Sequence, residues 1–312
     1  MRKLLLVAGI VAGLAACQQQ APEQAAAPAP APAPAAEPAP APAPSPAEAF
    51  AAKLDGVLAG AHRSDENKAR DQFRNPKPVL EFFGIAPGQH VIEITPGGGW
   101  YTEILAPLMK GEGKYTAAII NPASASSDRA KEYYTKSNQS YRDKLAANPE
   151  LYGEASLVEF DLKAPGFGEP DSADLVVTFR NVHNWVGADA VDGMFAGFFQ
   201  VLKPGGVLGV VEHRANADDS SDPKELAKTG YFPEALVIAA AEKAGFQLAE
   251  KSEVNANPKD TKDHPNGVWT LPPSLNVPEG EDKAKYQAIG ESDRMTLKFV
   301  KPAAPAAAPT AG

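Results

Sequence analysis

One short run of the chain carries a dense set of functional groups. His90-Val91-Ile92-Glu93-Ile94-Thr95-Pro96-Gly97-Gly98-Gly99-Trp100-Tyr101-Thr102 sets a carboxylate near the end of an apolar strand, then a glycine-rich bend, then the start of an amphipathic helix. Such a bend lets backbone amides approach a nucleotide-like ligand closely. A strand-to-helix turn without a ligand is the plainer reading of the same residues. A second run, Phe179-Arg180-Asn181-Val182-His183-Asn184-Trp185, follows another apolar strand and offers an imidazole beside a guanidinium and two amides. His183 is the candidate base for proton transfer, with Arg180 and Asn184 orienting a polar acceptor; the alternative is a histidine that only bonds its own turn. Trp185 either stacks on a flat ligand or fills the core. Glu212-His213-Arg214 ends a third apolar strand. His213 joins the catalytic candidates, against a reading of the trio as an ion-pair patch.

These groups are useful only if the elements beneath them bring them to one edge. Continuous apolar runs at about 90–95, 114–120, 155–160, 174–180 and 206–213 read as buried parallel strands. Helical stretches at about 100–110, 124–146 and 190–201 lie between most of them, and Pro233 opens a helix that ends at Gly245. Two further strands are expected at about 246–254 and 294–301. Seven strands with intervening helices pack naturally as a doubly wound sheet, which binds ligands at the carboxyl ends of its strands. Ahead of the sheet, a helix is expected over Ala49–Gly60 and another from Ser64 that ends before Pro76. In the latter, Arg70, Asp71 and Arg74 read either as a solvated face with local ion pairs or as a lid. The stretch Asn255–Gly280 reads as a long irregular loop whose His264 and Trp269 either line an entrance or belong to an ordinary covering segment.

The ends of the chain differ from its middle. Arg2 and Lys3 precede an apolar run too short to span a bilayer, which ends in Leu14-Ala15-Ala16-Cys17. It reads as an export signal over 1–16 and resembles the lipobox of bacterial lipoproteins, in which Cys17 is lipidated. By that resemblance Gln18 favours the outer membrane, so the protein is expected on the periplasmic side, held by lipid rather than spanning the membrane. Cys17 is the only cysteine, which rules out disulfides within the chain. Residues 17–48, rich in Ala and Pro, read as a stalk, 49–301 as the folded domain and 302–312 as a disordered tail. A net charge of −9 argues against nucleic acid as a partner. The five histidines, His62, His90, His183, His213 and His264, show no close ligand spacing, so no metal is expected.

The glycine run resembles the first motif of the class I S-adenosylmethionine-dependent methyltransferases: Glu93, Gly97 and Gly99 match it, while Thr95 stands where the family's first glycine does. Three later segments resemble further motifs in order: Val158–Pro165 with Asp161, Ala173–Trp185, and Val201-Leu202-Lys203-Pro204-Gly205-Gly206 before the fifth strand. The resemblance implies a Rossmann-like seven-stranded, mostly parallel α/β sheet with helices on both faces, and S-adenosylmethionine as cofactor. It implies cofactor-binding roles for Glu93, Thr95, Gly97, Gly99, Asp161 and Phe179, with Asp161 accepting from the adenine amino group. The family's ribose-binding acid is missing after the second strand, where Asn121 stands instead with a neutral amide. That absence also argues against a nicotinamide-dependent oxidoreductase. Gly97–Tyr101, Arg180–Trp185 and Val268–Pro273 are further similar to a group of exported bacterial methyltransferase-like proteins. Two functions are carried forward: a methyltransferase acting on a small-molecule or envelope acceptor, and a binding or scaffold lipoprotein that kept the fold and lost the chemistry.

Overall fold

The structure, a computed structural model, describes residues 44–125 and 127–303. The expected export signal, Cys17, most of the stalk and most of the tail lie outside the described residues. Helix α1 (Pro46–Ala59) starts earlier than expected because Ser45 and Glu48 form a reciprocal capping box and Pro46 takes the first turn. Next come α2 (Asp65–Ala69), α3 (Asp71–Arg74) and α4 (Pro76–Phe83). Asn75, left-handed at φ 44°, breaks the chain before Pro76, which starts α4.

The rest alternates: β1 (His90–Ile94), α5 (Thr102–Met109), β2 (Lys114–Ile120), α6 (Asp128–Ala147), α7 (Pro149–Tyr152), β3 (Ser156–Phe160), β4 (Ala173–Phe179), α8 (Val182–Val186), α9 (Val191–Val201) and β5 (Leu202–His213). It closes with α10 (Pro223–Ala227), α11 (Glu234–Lys243), β6 (Gln247–Ser252), α12 (Lys283–Ile289) and β7 (Arg294–Val300). The seven strands form one sheet ordered β3-β2-β1-β4-β5-β7-β6, in which only β7 runs antiparallel to its neighbours. This is the mostly parallel, doubly wound sheet that the apolar runs predict. Strand β5 starts before its expected bounds, because Leu202 pairs with Ala173 and the register then jumps to Val207 against Leu175. The Pro-Gly-Gly segment is thus absorbed as a bulge.

Both faces of the sheet are covered. One packs Met194, Phe195, Phe198 and Trp185 against Ile92, Val176 and Val210; the other packs Leu80, Phe83, Ile104 and Leu105 against Val91, Val177 and Val211. Burial on both faces is why the strands read as continuous apolar runs. In α5, Pro107 cannot donate to the carbonyl of Glu103, and His62 Nε2 donates to that carbonyl instead, at 2.8 Å. The sequence order turns back between β1 and β4, so their carboxyl ends open a crevice.

Candidate active site

The residues just past β1 and β4 form that crevice. Thr95 and Arg180 both adopt left-handed backbones, φ 50° and φ 63°, and their amides are held by Ala118 O at 2.8 Å and Val211 O at 2.7 Å. A β-branched residue in that region stores about 1–3 kcal/mol of strain. Thr95 therefore reproduces the backbone turn that a glycine would make there, and adds a hydroxyl. That hydroxyl is buried and has no hydrogen-bond partner among the described residues. Gly97 and Gly99 are also left-handed, at φ 59° and φ 77°. A Cβ on Gly97 would meet nothing within 4 Å, whereas one on Gly99 would crowd Tyr141 at 3.2 Å. Lys144 of α6 braces the bend by donating to Gly98 O at 3.1 Å and to Glu103 Oε1 at 2.5 Å.

Glu93 sits below the bend, fully buried. Its Oε2 accepts from the hydroxyls of Thr102 at 2.9 Å and Tyr115 at 2.6 Å, and Tyr141 joins the hydroxyl cluster. Burial pushes the carboxyl up to about 7, against the lowering effect of the two hydroxyls. A cavity of about 280 Å³ opens above, walled by Glu93, Thr95, Gly97, Tyr101, Phe179 and Arg180. Tyr101 and Phe179, both of which line it, stack with ring centroids 3.5 Å apart. Of the residues that the resemblance assigned to a cofactor, Glu93, Thr95, Gly97 and Phe179 line this cavity, and Gly99 shapes its bend.

Asn121 and Asp161 are not brought to it. Asn121 Oδ1 accepts from the amide of Ala123, and Asp161 Oδ1 from that of Lys163 at 2.8 Å, so each side chain caps its own turn. Their expected contacts with ribose and adenine have no counterpart in the cavity. Beyond Gly97 and Gly98 the crevice instead continues along α6, past Tyr133, Ser137 and Ser140.

A second cavity, of about 330 Å³, shares Arg70, Arg74 and Arg180 with the first and contains His183, Asn184 and His213. Glu212, fully buried, accepts from His183 Nδ1 at 3.0 Å and from the His183 amide at 3.2 Å. With Nδ1 donating to a carboxylate, Nε2 of His183 is an acceptor, which is the arrangement of an oriented base. His213 Nδ1 pairs with Ser292 Oγ at 2.5 Å. Burial, with the His183 ring and nearby guanidiniums adding to it, holds His213 well below its usual range, so it is neutral at neutral pH. Although the sequence shows no ligand spacing, the fold brings His183, Glu212 and His213 together, with one ligand atom of each within 4.8 Å of the others. Glu212 Oε1 is already committed to His183 and to the His213 amide, and arginines ring the cavity, so the trio favours proton handling over a cation.

Several of the open alternatives are resolved here. Arg214 leaves the site: it binds Glu253 at 2.6 and 2.8 Å and Asp293 at 3.0 Å, a structural network at the sheet edge. Trp185, 1% exposed, is core, packed on Phe195 and Phe198. His264 pairs with buried Asp260 at 2.8 Å, while Trp269 lies edge-on to His183 and stays 38% exposed to the second cavity. Arg70 and Arg74 are not a solvated face; Arg74 is 4% exposed and lies 4.6 Å over the ring of Trp100. Asp71 does pair locally, holding both terminal nitrogens of Arg63 at 2.6 and 2.8 Å.

Glu291 belongs to no motif in the sequence, yet it lies at the centre of the site. Its carboxylate accepts from Arg70 at 2.7 Å and Arg74 at 3.1 Å, and forms ion pairs with Arg294 at 3.2 Å and Arg180 at 3.9 Å. Burial alone would raise it, yet these guanidiniums hold it down at about 2. Burial and repulsion from Arg180, Arg70 and Arg294 lower the proton affinity of Arg74, whose Nη1 has no partner among the described residues. The signal available in the sequence was a charged run, Glu291-Ser292-Asp293-Arg294, at the mouth of a buried strand.

No family model matches the chain, and no curated protein matches it. Among solved structures it is similar to the [4+2]-cyclase SpnF, at 15% identity and TM-score 0.51, covering 84% of this chain and 99% of that one. An S-adenosylmethionine-dependent methyltransferase from Aquifex aeolicus matches at 14% identity and TM-score 0.48, over 80% of this chain and 98% of that one. One from Methanosarcina mazei matches at 16% identity and TM-score 0.46, over 73% and 98%. Together with the strand order, the likeness to SpnF shows the fold: a Rossmann-like, seven-stranded and mostly parallel sheet with helices on both faces.

Proposed function

We propose that the protein is an S-adenosylmethionine-dependent methyltransferase acting on a small-molecule or envelope acceptor. The observation that carries this reading is the cavity above the glycine bend, lined by Glu93, Thr95 and Arg74, in whose walls a carboxyl is buried and a Thr95 hydroxyl and an Arg74 nitrogen have no hydrogen-bond partner among the described residues. Buried polar groups without partners in a native site point to a ligand that completes them. The residues fit the amino-acid end of the cofactor: Glu93 suits its ammonium, Arg74 its carboxylate, and the backbone of Gly97 and Gly98 leaves room for the sulfur and ribose. Tyr133, Ser137 and Ser140 of α6 would flank the nucleoside in place of Asn121 and Asp161.

When bound, that cofactor supplies an electrophilic methyl group on a sulfonium. The chain's own part is to position the acceptor, exclude water and take up its proton. On this reading His183 Nε2, oriented through Nδ1 by Glu212, accepts the proton, and Asn184 and Arg180, which line the same cavity, orient the acceptor. Calorimetric titration of the purified chain with S-adenosylhomocysteine tests the reading. Saturable binding at micromolar ligand is expected, and no heat at millimolar ligand removes it.

The location is part of the same proposal. The leader and the Leu14-Ala15-Ala16-Cys17 motif support an exported protein anchored by lipid at Cys17, as do the segments shared with the exported methyltransferase-like group. Labelled palmitate should enter the wild-type protein and not a Cys17→Ser variant; equal labelling of both would refute the anchor.

A further inference from the structure

We infer that the methyl acceptor is an anion with an apolar body, its carboxylate or phosphate held by Arg70 and Arg180 opposite the His183–Glu212 pair. This rests on the methyltransferase reading and names the acceptor class for it. Four guanidiniums, those of Arg70, Arg74, Arg180 and Arg294, gather around the single carboxylate of Glu291. In a chain whose net charge is −9, such a local excess of positive charge is a built feature of the cleft.

The hydrogen-bonding capacity of the cluster is far from filled. Arg294 is spent on Glu291, Ser292 O and Phe73 O. Arg70, by contrast, commits only Nε, and Arg180 makes no hydrogen bond with its side chain among the described residues. Two planar forks therefore face a cavity with their terminal donors unused, and that donor set matches a carboxylate or a phosphate bidentately. The carboxylate of the proposed cofactor would answer one positive charge, at Arg74, but its sulfonium adds another, so an excess remains on the acceptor side. The same cavity is also lined by the apolar side chains of Val268, Trp269, Pro272 and Pro273. Trp269 stands edge-on to His183, so a molecule lying against it also reaches the imidazole.

The test is titration of the purified full-length chain, saturated with S-adenosylhomocysteine, with benzoate, phenyl phosphate and neutral benzyl alcohol at fixed ionic strength. Saturation occupies the cofactor's own anion site, so binding that persists lies on the acceptor side. At least one anion is expected to bind at a single site at least tenfold more tightly than benzyl alcohol. Preference between benzoate and phenyl phosphate identifies the acidic group. Arg70→Gln and Arg180→Gln should each weaken that anion tenfold or more, while Lys228→Gln, an exposed charge elsewhere, leaves it unchanged. If S-adenosylhomocysteine binds but neither anion does, if benzyl alcohol binds equally well, or if the arginine variants bind the anion as wild type does, the inference is overturned and the methyltransferase reading stands. If S-adenosylhomocysteine itself fails to bind, that reading falls. The anions are then titrated into the free protein, where binding lost in both arginine variants sustains the site and absence of binding ends it.

Discussion

Thr95 and Gly99 hold the same left-handed turn by different means, and their substitutions should move stability in opposite directions. Thr95 accepts strain at φ 50° and buries an unpartnered hydroxyl. Thr95→Gly removes both costs and should stabilise the ligand-free protein by about 1 kcal/mol in urea denaturation, while weakening S-adenosylhomocysteine by the loss of one hydrogen bond. Gly99→Ala should do the reverse, costing about 2 kcal/mol, because φ 77° disfavours a side chain and the new methyl crowds Tyr141 and Lys144 at 3.2 and 3.3 Å. Tyr141 belongs to the hydroxyl cluster that holds Glu93, so the same variant should also weaken S-adenosylhomocysteine. Of these residues the motif alone pointed to a ligand; the left-handed backbone of Thr95 was not legible, since a β-branched residue is the last to expect there.

At the scale of elements, legibility followed burial. Strands β1, β2 and β4 are mostly apolar because helices cover both faces, so a local run sufficed to place them. The cation cluster could not be read in that way. Arg74 and Glu291 are separated by 217 positions and meet only because α3 and the approach to β7 converge over the same sheet edge. Glu291 also holds the N-terminal helices to the sheet. Glu291→Gln leaves buried guanidiniums without their carboxylate and should lower stability by about 3–5 kcal/mol, read as a fall in the urea midpoint. Part of that loss should be recovered in phosphate buffer if the arginines bind anions, since a ligand of the native state stabilises it. Trp185, read with two possible roles, is resolved by its surroundings as core. Trp185→Ala should cost about 3–5 kcal/mol.

For the molecule as a whole, buried titrating groups couple stability to pH, and their signs differ. Glu93 keeps its proton to about 7 in the fold but titrates near 4.5 when unfolded, so the native state binds more protons between those values. Its contribution to stability therefore declines as pH rises through that window, by about 3 kcal/mol in total. His213 acts oppositely: held neutral by burial, it costs stability as pH falls below about 6.5, where the unfolded chain takes up a proton. Glu291, held at about 2, contributes fully above about 4.5 and loses that contribution as pH falls from there toward 2. The raw profile mixes these terms, so the informative quantity is the stability of wild type minus that of Glu93→Gln, in which the histidine term cancels. In the ligand-free protein this difference should fall as pH rises from about 4.5 to about 7.5. Saturating S-adenosylhomocysteine should flatten this slope, because a Glu93 ionised beside the ligand's ammonium carries no extra proton over the unfolded chain in that window, and affinity for the ligand increases as pH rises toward 7. A difference that keeps the same slope with and without ligand would mean that Glu93 supports the fold and takes no part in binding.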